Sequence, residues 1–297
     1  MPLLALKPGA RSANAPELTV AFFDNDEDNI KPCEAGVKAN PYSIEYDGAV
    51  LAVKIDCVDV KECGRRGKTE DATKCHDRLY DKLQKEEQDE GVLKIFDALY
   101  EISGNGFFDD SSGVNPDDLE KSYLDRDVWV FDWDKTISQC EGLVAGGHAR
   151  EPVETAWQDH ARAISEQVIA RPPDDWLPGD AEDFYDLYVD NPDMVLKAMC
   201  GGTSRVEALR SAFEKKRGRD PTAIFVLTAN PARGVISKLA TTLFEGITDD
   251  QVFSTRQYRA DARAEVFGEE KPLRGMTKYE LIHFQVMNTL KEKRARS

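Results

Sequence analysis

The sequence predicts an α/β fold built on a parallel sheet. Three short apolar runs carry that prediction: Leu18–Phe23 (LTVAFF), Val128–Phe131 (VWVF) and Ala223–Leu227 (AIFVL). None alternates apolar with polar residues, the pattern of strands buried on both faces. Each stops abruptly at a polar residue: Asp24, Asp132 and Thr228. Stretches with helical spacing separate them, as in β-α-β units. In open α/β sheets ligands bind just past the carboxyl ends of strands. The polar residues at these ends are therefore the first candidates for a site.

Taken along the chain, residues 1–16 (MPLLALKPGARSANAP) read as a tail. Their apolar stretch, LLAL, is too short for a signal-peptide core, and its basic residue follows it instead of preceding it. Residues 17–60 hold two strands and a helix. The first strand ends in Asp24-Asn25-Asp26-Glu27-Asp28-Asn29-Ile30, and residues 50–56 (VLAVKID) form the second. An acidic turn of this kind is either solvated or a cation site. It lacks the glycine and terminal glutamate of an EF-hand loop. Residues 61–125 read as an insertion whose stretch 76–102 has helical spacing, with Leu79, Leu83, Val92, Ile95, Phe96 and Leu99 among its apolar positions. Asn115 and Pro116 read as the N-cap and first residue of a further helix. The Gly64–Thr69 segment (GRRGKT) is too short for a phosphate-binding P-loop.

Val128–Phe131 runs into Asp132-Trp133-Asp134-Lys135-Thr136. Two carboxylates at i and i+2 past a strand repel one another. They make sense beside a cation, or where one of them is a nucleophile. Residues 137–200 form a second, mainly helical insertion. Its first helix is marked by Ala156, Trp157, Ala161, Ile164 and Val168, and a second by Phe184, Leu187, Tyr188 and Val189. Gly201-Gly202 and Arg205 open the helix that leads to the third run, which ends in Thr228-Ala229-Asn230-Pro231. Lys278, in GMTKYELI, starts the last helix. Lys271, in EEKP, is the competing lysine.

The DWDKT run resembles the first motif of the haloacid dehalogenase superfamily, the aspartate-nucleophile phosphatases and phosphotransferases. Leu227-Thr228-Ala229 is similar to the second motif and Lys278 to the third. Asp24 to Ile30 resembles the fourth, but it stands at the wrong end of the chain. The resemblance implies a circular permutation, with strands running fourth, fifth, first, second, third. Closely placed termini make such a rearrangement physically feasible. The fold it implies is a Rossmann-like three-layer α/β/α core, residues 17–136 and 201–297, with residues 137–200 as a helical cap.

Roles follow from the same resemblance. Asp132 would attack phosphorus, and Asp134 would act as acid and then base. Thr136 would hold the loop. Thr228, Asn230 and Lys278 would bind the phosphoryl group. Mg²⁺ would be held by Asp132, Asp134, Asp24 and Asp28, helped by a loop carbonyl at Trp133–Asp134. Asp26 is the alternative to Asp28 as the partner of Asp24. Asn25 stands where many members have a second acid.

Composition narrows the partners. The formal net charge of −16 argues against broad nucleic-acid affinity. Only residues 205–219 and 291–296 offer a local basic track. A phosphorylated small molecule or protein is the expected substrate. No run approaches the ~18–20 apolar residues of a membrane span. Six cysteines without CxxC spacing favour free thiols in a reducing, cytoplasmic setting. The readings that compete with a phosphatase are a phosphotransferase, a nucleic-acid-end phosphatase and a catalytically weak binding protein.

Overall fold

The computed structural model describes residues 17–39, 43–46, 49–60, 69–87, 91–96, 113–139, 192–218, 220, 222–229, 233–255 and 277–294. The elements run β1 (Glu17–Asp24), α1 (Glu27–Ala39), β2 (Ser43–Tyr46), β3 (Ala49–Asp59), α2 (Thr69–Glu86), α3 (91–96) and α4 (Pro116–Asp118). The last of these continues into a π-helical turn at Leu119–Tyr123. Next come β4 (Val128–Phe131), α5 (Pro192–Cys200), α6 (Thr203–Arg217), β5 (Ile224–Thr228), α7 (Arg233–Leu243) and β6 (Val252–Ser254). The closing helix is α8 (Lys278–Leu281), a π-helical turn (Ile282–Val286) and α9 (Met287–Arg294).

The apolar runs form the centre of a six-stranded sheet ordered β2-β3-β1-β4-β5-β6. All neighbouring strands are parallel except β2 and β3. The sheet is therefore mixed, not wholly parallel. The short strand β2 was missed by sequence reasoning. The signal was present, because Asp47-Gly48 between β2 and β3 is strong hairpin chemistry.

Side chains alternate across the central strands, and helices cover both faces. Val20, Phe22, Val128, Val130, Phe225 and Leu227 face α1 and the α8–α9 helix. Ala21, Phe23, Trp129, Phe131 and Val226 face α2, α3, α5, α6 and α7. Phe131 stacks on Phe23 with centroids 4.7 Å apart and meets Phe213 edge-on at 5.6 Å. Truncating so well-packed an aromatic costs about 3–5 kcal/mol.

At the entry end, Asp127 Oδ2 accepts from the Thr19 N–H (2.6 Å) and hydroxyl (2.8 Å), tying β1 to β4. Lys216 is buried there. Its ammonium donates to the carbonyls of Arg126 and Asp127 and lies 5.5 Å from the Trp129 ring centroid.

Two expected boundaries shift. Residues 192–200, expected in the cap, form α5, whose Val195, Leu196, Ala198 and Met199 lie inside the core. Residues 137–139 are buried core loop. Within the 61–125 insertion, Leu79, Leu83, Val92, Ile95 and Phe96 pack into the same core. Of the helical stretch expected over 76–102, residues 76–86 belong to α2 and 91–96 to α3, while 88–90 and 97–102, with Leu99, lie outside the described residues. Residues 1–16 and 140–191, which include most of the expected cap, lie outside the described residues.

Candidate functional site

The chain leaves β1 for β3 on one side and, from β4, steps through β5 and β6 on the other. The β1/β4 boundary is thus the topological switch point, where an open α/β sheet leaves a crevice at its carboxyl edge. Asp24 and Asp132 end these two strands side by side. The Asp132 N–H donates to the Phe23 carbonyl at 2.9 Å, extending the ladder by one residue. Both carboxylates are buried, at 0% and 5% exposure.

Lys278 joins them. A capping box starts α8: the Thr277 hydroxyl accepts from the Glu280 N–H, and the Glu280 carboxylate accepts from the Thr277 N–H at 2.7 Å. That cap fixes Lys278 as the first helical residue, with its side chain buried at the sheet edge. Its Nζ lies 2.7 Å from Asp24 Oδ2 and 2.8 Å from Asp132 Oδ2. Burial alone would favour the neutral amine. Asp132 and Asp24 outweigh it and hold the lysine proton more tightly than usual.

The Asp132 carboxyl is pushed well above the usual carboxylate range. Burial is the main cause; Lys278 opposes it, and repulsion from Asp24 and Asp134 adds to it. One ammonium is too little positive charge for this group of acids. Asp132 Oδ1 is buried and has no hydrogen-bond partner among the described residues.

The loop after β4 is built around one carbonyl. Trp133 O accepts from the N–H groups of Thr136 (3.3 Å), Ile137 (3.0 Å) and Ser138 (3.0 Å), and from the Ser138 hydroxyl (3.2 Å). Lys135 takes a left-handed conformation, φ 52°, to allow the turn. The expectation that the Trp133 carbonyl faces the site is corrected. Its lone pairs are committed to the loop. Thr136 is buried, and its hydroxyl lies 3.4 Å from Asn25 Oδ1, linking the loops that follow β4 and β1.

Arg205 anchors the same loop from behind. Its guanidinium donates to the carbonyls of Ile137 (2.7 Å), Cys200 (3.1 Å) and Val114 (3.2 Å). Gly113 (φ 100°) makes room for it: a Cβ there would sit 2.3 Å from Arg205 Nη2 and 2.9 Å from Thr136 O.

The other expected residues fall as follows. Asp134 is half-buried beside Asp132 in the loop. Thr228 is buried at the end of β5, and its carbonyl accepts from the Thr255 N–H at 2.9 Å. Asp28 is exposed on the first turn of α1. The side chain of α1 that reaches Asp24 is Asn29, at 3.3 Å, while the Asp26 N–H donates to the same oxygen at 2.8 Å. The sequence analysis gives Asn29 no role of its own. Asn230 and Lys271 lie outside the described residues.

Among the described residues no group of three acidic, His or Cys side chains is close enough to hold a metal on its own. Mg²⁺ commonly takes one or two carboxylates and fills its octahedron with water and substrate phosphate. Hard carboxylate oxygens, an excess of buried negative charge and an unpartnered Asp132 Oδ1 fit that ion. A scan against protein-family models returns no match, and neither a curated protein nor a solved structure matches the chain.

Proposed function

We propose that this protein is a Mg²⁺-dependent phosphoric monoester hydrolase of the haloacid dehalogenase type, circularly permuted, acting through an aspartyl-phosphate on Asp132. The observation that carries the reading is the Asp24–Lys278–Asp132 bridge at the switch point. Three segments remote in sequence converge there on one buried carboxylate with a single free oxygen.

The strand order supports the permutation. With β4, β5 and β6 taken as first, second and third, and β1 and β3 as fourth and fifth, the strands bearing Asp24, Asp132 and Thr228 become three adjacent neighbours. Their polar ends then share one edge of the sheet.

In the proposed chemistry Lys278 orients the Asp132 carboxylate, one oxygen of which forms the bond to phosphorus. As that bond forms, the bond from phosphorus to the leaving oxygen breaks, and Asp134 gives its proton to that oxygen. Asp134 then takes a proton from water as the water oxygen attacks phosphorus. The Asp132–phosphorus bond breaks, and inorganic phosphate leaves. The Lys278 ammonium and the Thr228 hydroxyl stabilise the transferring group. Mg²⁺ held by Asp132 and Asp24 would screen the repulsion between carboxylate and phosphate. Arg205 and the Trp133 turn keep Asp132 and Asp134 in fixed relation.

The test is hydrolysis of an aryl phosphate with and without Mg²⁺, alongside acid-quenched labelling with a radioactive phosphoryl donor. Label that is stable in acid, lost to hydroxylamine and absent from Asp132→Asn supports the acyl phosphate. Turnover that survives Asp132→Asn overturns it.

A further inference from the structure

Beneath the site lies a pair of thiols that the proposed chemistry does not use. Cys33 is fully buried on α1, three residues after Ile30, so both face the sheet. Cys57 lies on β3 opposite Phe22 and shares a face with Val53 and Ile55. Both cysteines therefore sit in the same apolar layer between α1 and the sheet. α1 packs directly on β3, the two thiols lie in one apolar cluster and interact with each other, and neither is in a disulfide.

We propose that Cys33 and Cys57 form a reversible dithiol–disulfide pair, a modification site for small disulfides such as oxidised glutathione, linking α1 to β3 directly below the Asp24 loop. Cys57 is the entry point, because it is partly exposed whereas Cys33 is shielded. In the first step the Cys57 thiolate attacks one sulfur of oxidised glutathione. The disulfide bond of glutathione breaks and one glutathione thiolate leaves. Cys33 then loses its proton and attacks the Cys57 sulfur, releasing the second glutathione. Two protein thiols are oxidised, and one small disulfide is reduced to two thiols.

A disulfide requires sulfurs about 2.05 Å apart, closer than any thiol contact, so α1 must approach β3. Pro32, inside α1 and next to Cys33, lacks the N–H that would bond back along the helix, which leaves that turn less constrained. The movement has a consequence for the site. The first turn of α1 carries Asn29, which with the Asp26 N–H holds Asp24 Oδ1. The Tyr279 ring, next to Lys278, closes over Gly36 on the same helix; a Cβ at Gly36 would fall 2.6 Å from it. Oxidation therefore pulls on the carboxylate and lysine pair from the α1 side.

The experiment uses the full chain equilibrated over a range of oxidised-to-reduced glutathione ratios, then acid-quenched, alkylated, digested and mass-mapped. The expected product is a peptide pair joining Cys33 to Cys57, two hydrogens lighter than the reduced pair and reversed by dithiothreitol. The internal disulfide should exceed the glutathione adduct by about tenfold, because the second thiol is already in place. Cys33→Ala should instead trap one glutathionyl group on Cys57, and Cys57→Ser should leave Cys33 reduced. Far-UV circular dichroism confirms that each variant is folded. No Cys33–Cys57 linkage at any ratio, or Cys57 joined to a different cysteine, overturns the proposal. The readout is a mass and is independent of the proposed phosphatase activity.

Discussion

Replacing Lys278 with methionine isolates the charge that holds the site together. Methionine keeps most of the apolar stem and removes only the ammonium. In the native protein that ammonium lies 2.7 Å from Asp24 Oδ2 and 2.8 Å from Asp132 Oδ2, and all three groups are buried. Removing it leaves two buried carboxylates without a counter-ion. Breaking a buried pair in this way costs about 3–5 kcal/mol. The loss depends on pH, and its sign follows from the Asp132 shift. The folded-state pKa of Asp132 is raised, so its ionised form opposes folding above that pKa. Stability improves as pH falls through the folded pKa towards the unfolded value near about 3.9. Lys278 holds that shift down, so the variant raises it further. The penalty of Lys278→Met should be full at pH 8 and shrink by pH 5, as Asp132 takes up a proton. Urea unfolding followed by tryptophan fluorescence at both pH values measures it. A penalty under about 1 kcal/mol, or one equal at both pH values, would refute the reasoning.

Three further outcomes follow from the same structure. Arg205→Ala should destabilise by about 3 kcal/mol or more, because it strands the buried carbonyls of Ile137, Cys200 and Val114; thermal melting checks it, and a loss below 1 kcal/mol, by the same bookkeeping, would show that water replaces the guanidinium. Gly113→Ala should cost about 1–3 kcal/mol, since φ 100° is strained for alanine and the nearest backbone atom, Thr136 O, cannot yield; an unchanged unfolding midpoint would contradict it. Burial pushes the His283 imidazole down to about 4, so its contribution is present above the unfolded pKa near about 6.5 and is lost as pH falls towards the folded value. His283→Gln should flatten that acid limb relative to wild type, which denaturation at pH 7, 5.5 and 4.5 resolves.

The parts of the site that could be read from the sequence are those where a pattern breaks. Asp24, Asp132 and Thr228 interrupt apolar runs, and a polar residue there has no packing role. Lys278 was one of two lysines that sequence order could not separate. The capping box Thr277-x-x-Glu280 was an unused signal that a helix begins at Lys278. The roles of Asn29 and Arg205 were not legible. Asn29 and Asp28 are adjacent polar residues on one helix, and only the helix's rotation decides which reaches Asp24. Arg205 binds three carbonyls, and a carbonyl has no residue type to recognise. The Trp133 carbonyl illustrates the same limit: the turn that brings the Thr136, Ile137 and Ser138 N–H groups onto it passes through a left-handed Lys135, a conformation that lysine does not advertise. In the fold, the central strands were clear because they are apolar on both faces. Strand β2, Ser43–Tyr46, is short and has no apolar run, and only the Asp47-Gly48 turn after it marks it in the sequence. Residues 192–200 fell in the expected cap by position alone, and nothing in their sequence says that Val195, Leu196, Ala198 and Met199 pack into the core.

The central claim is that Asp132 is a nucleophile poised by Lys278 and Asp24. Its most direct test is hydrolysis of an aryl phosphate by wild type and Asp132→Asn, with and without Mg²⁺, on protein shown to be folded. The account predicts Mg²⁺-dependent turnover in wild type and its loss in the variant. It also predicts that Asp132→Asn is at least as stable as wild type at pH 8, because the substitution removes a buried charge. Turnover in Asp132→Asn equal to wild type would contradict the account, and so would a folded wild type with no turnover and no phosphorylated aspartate under any divalent metal.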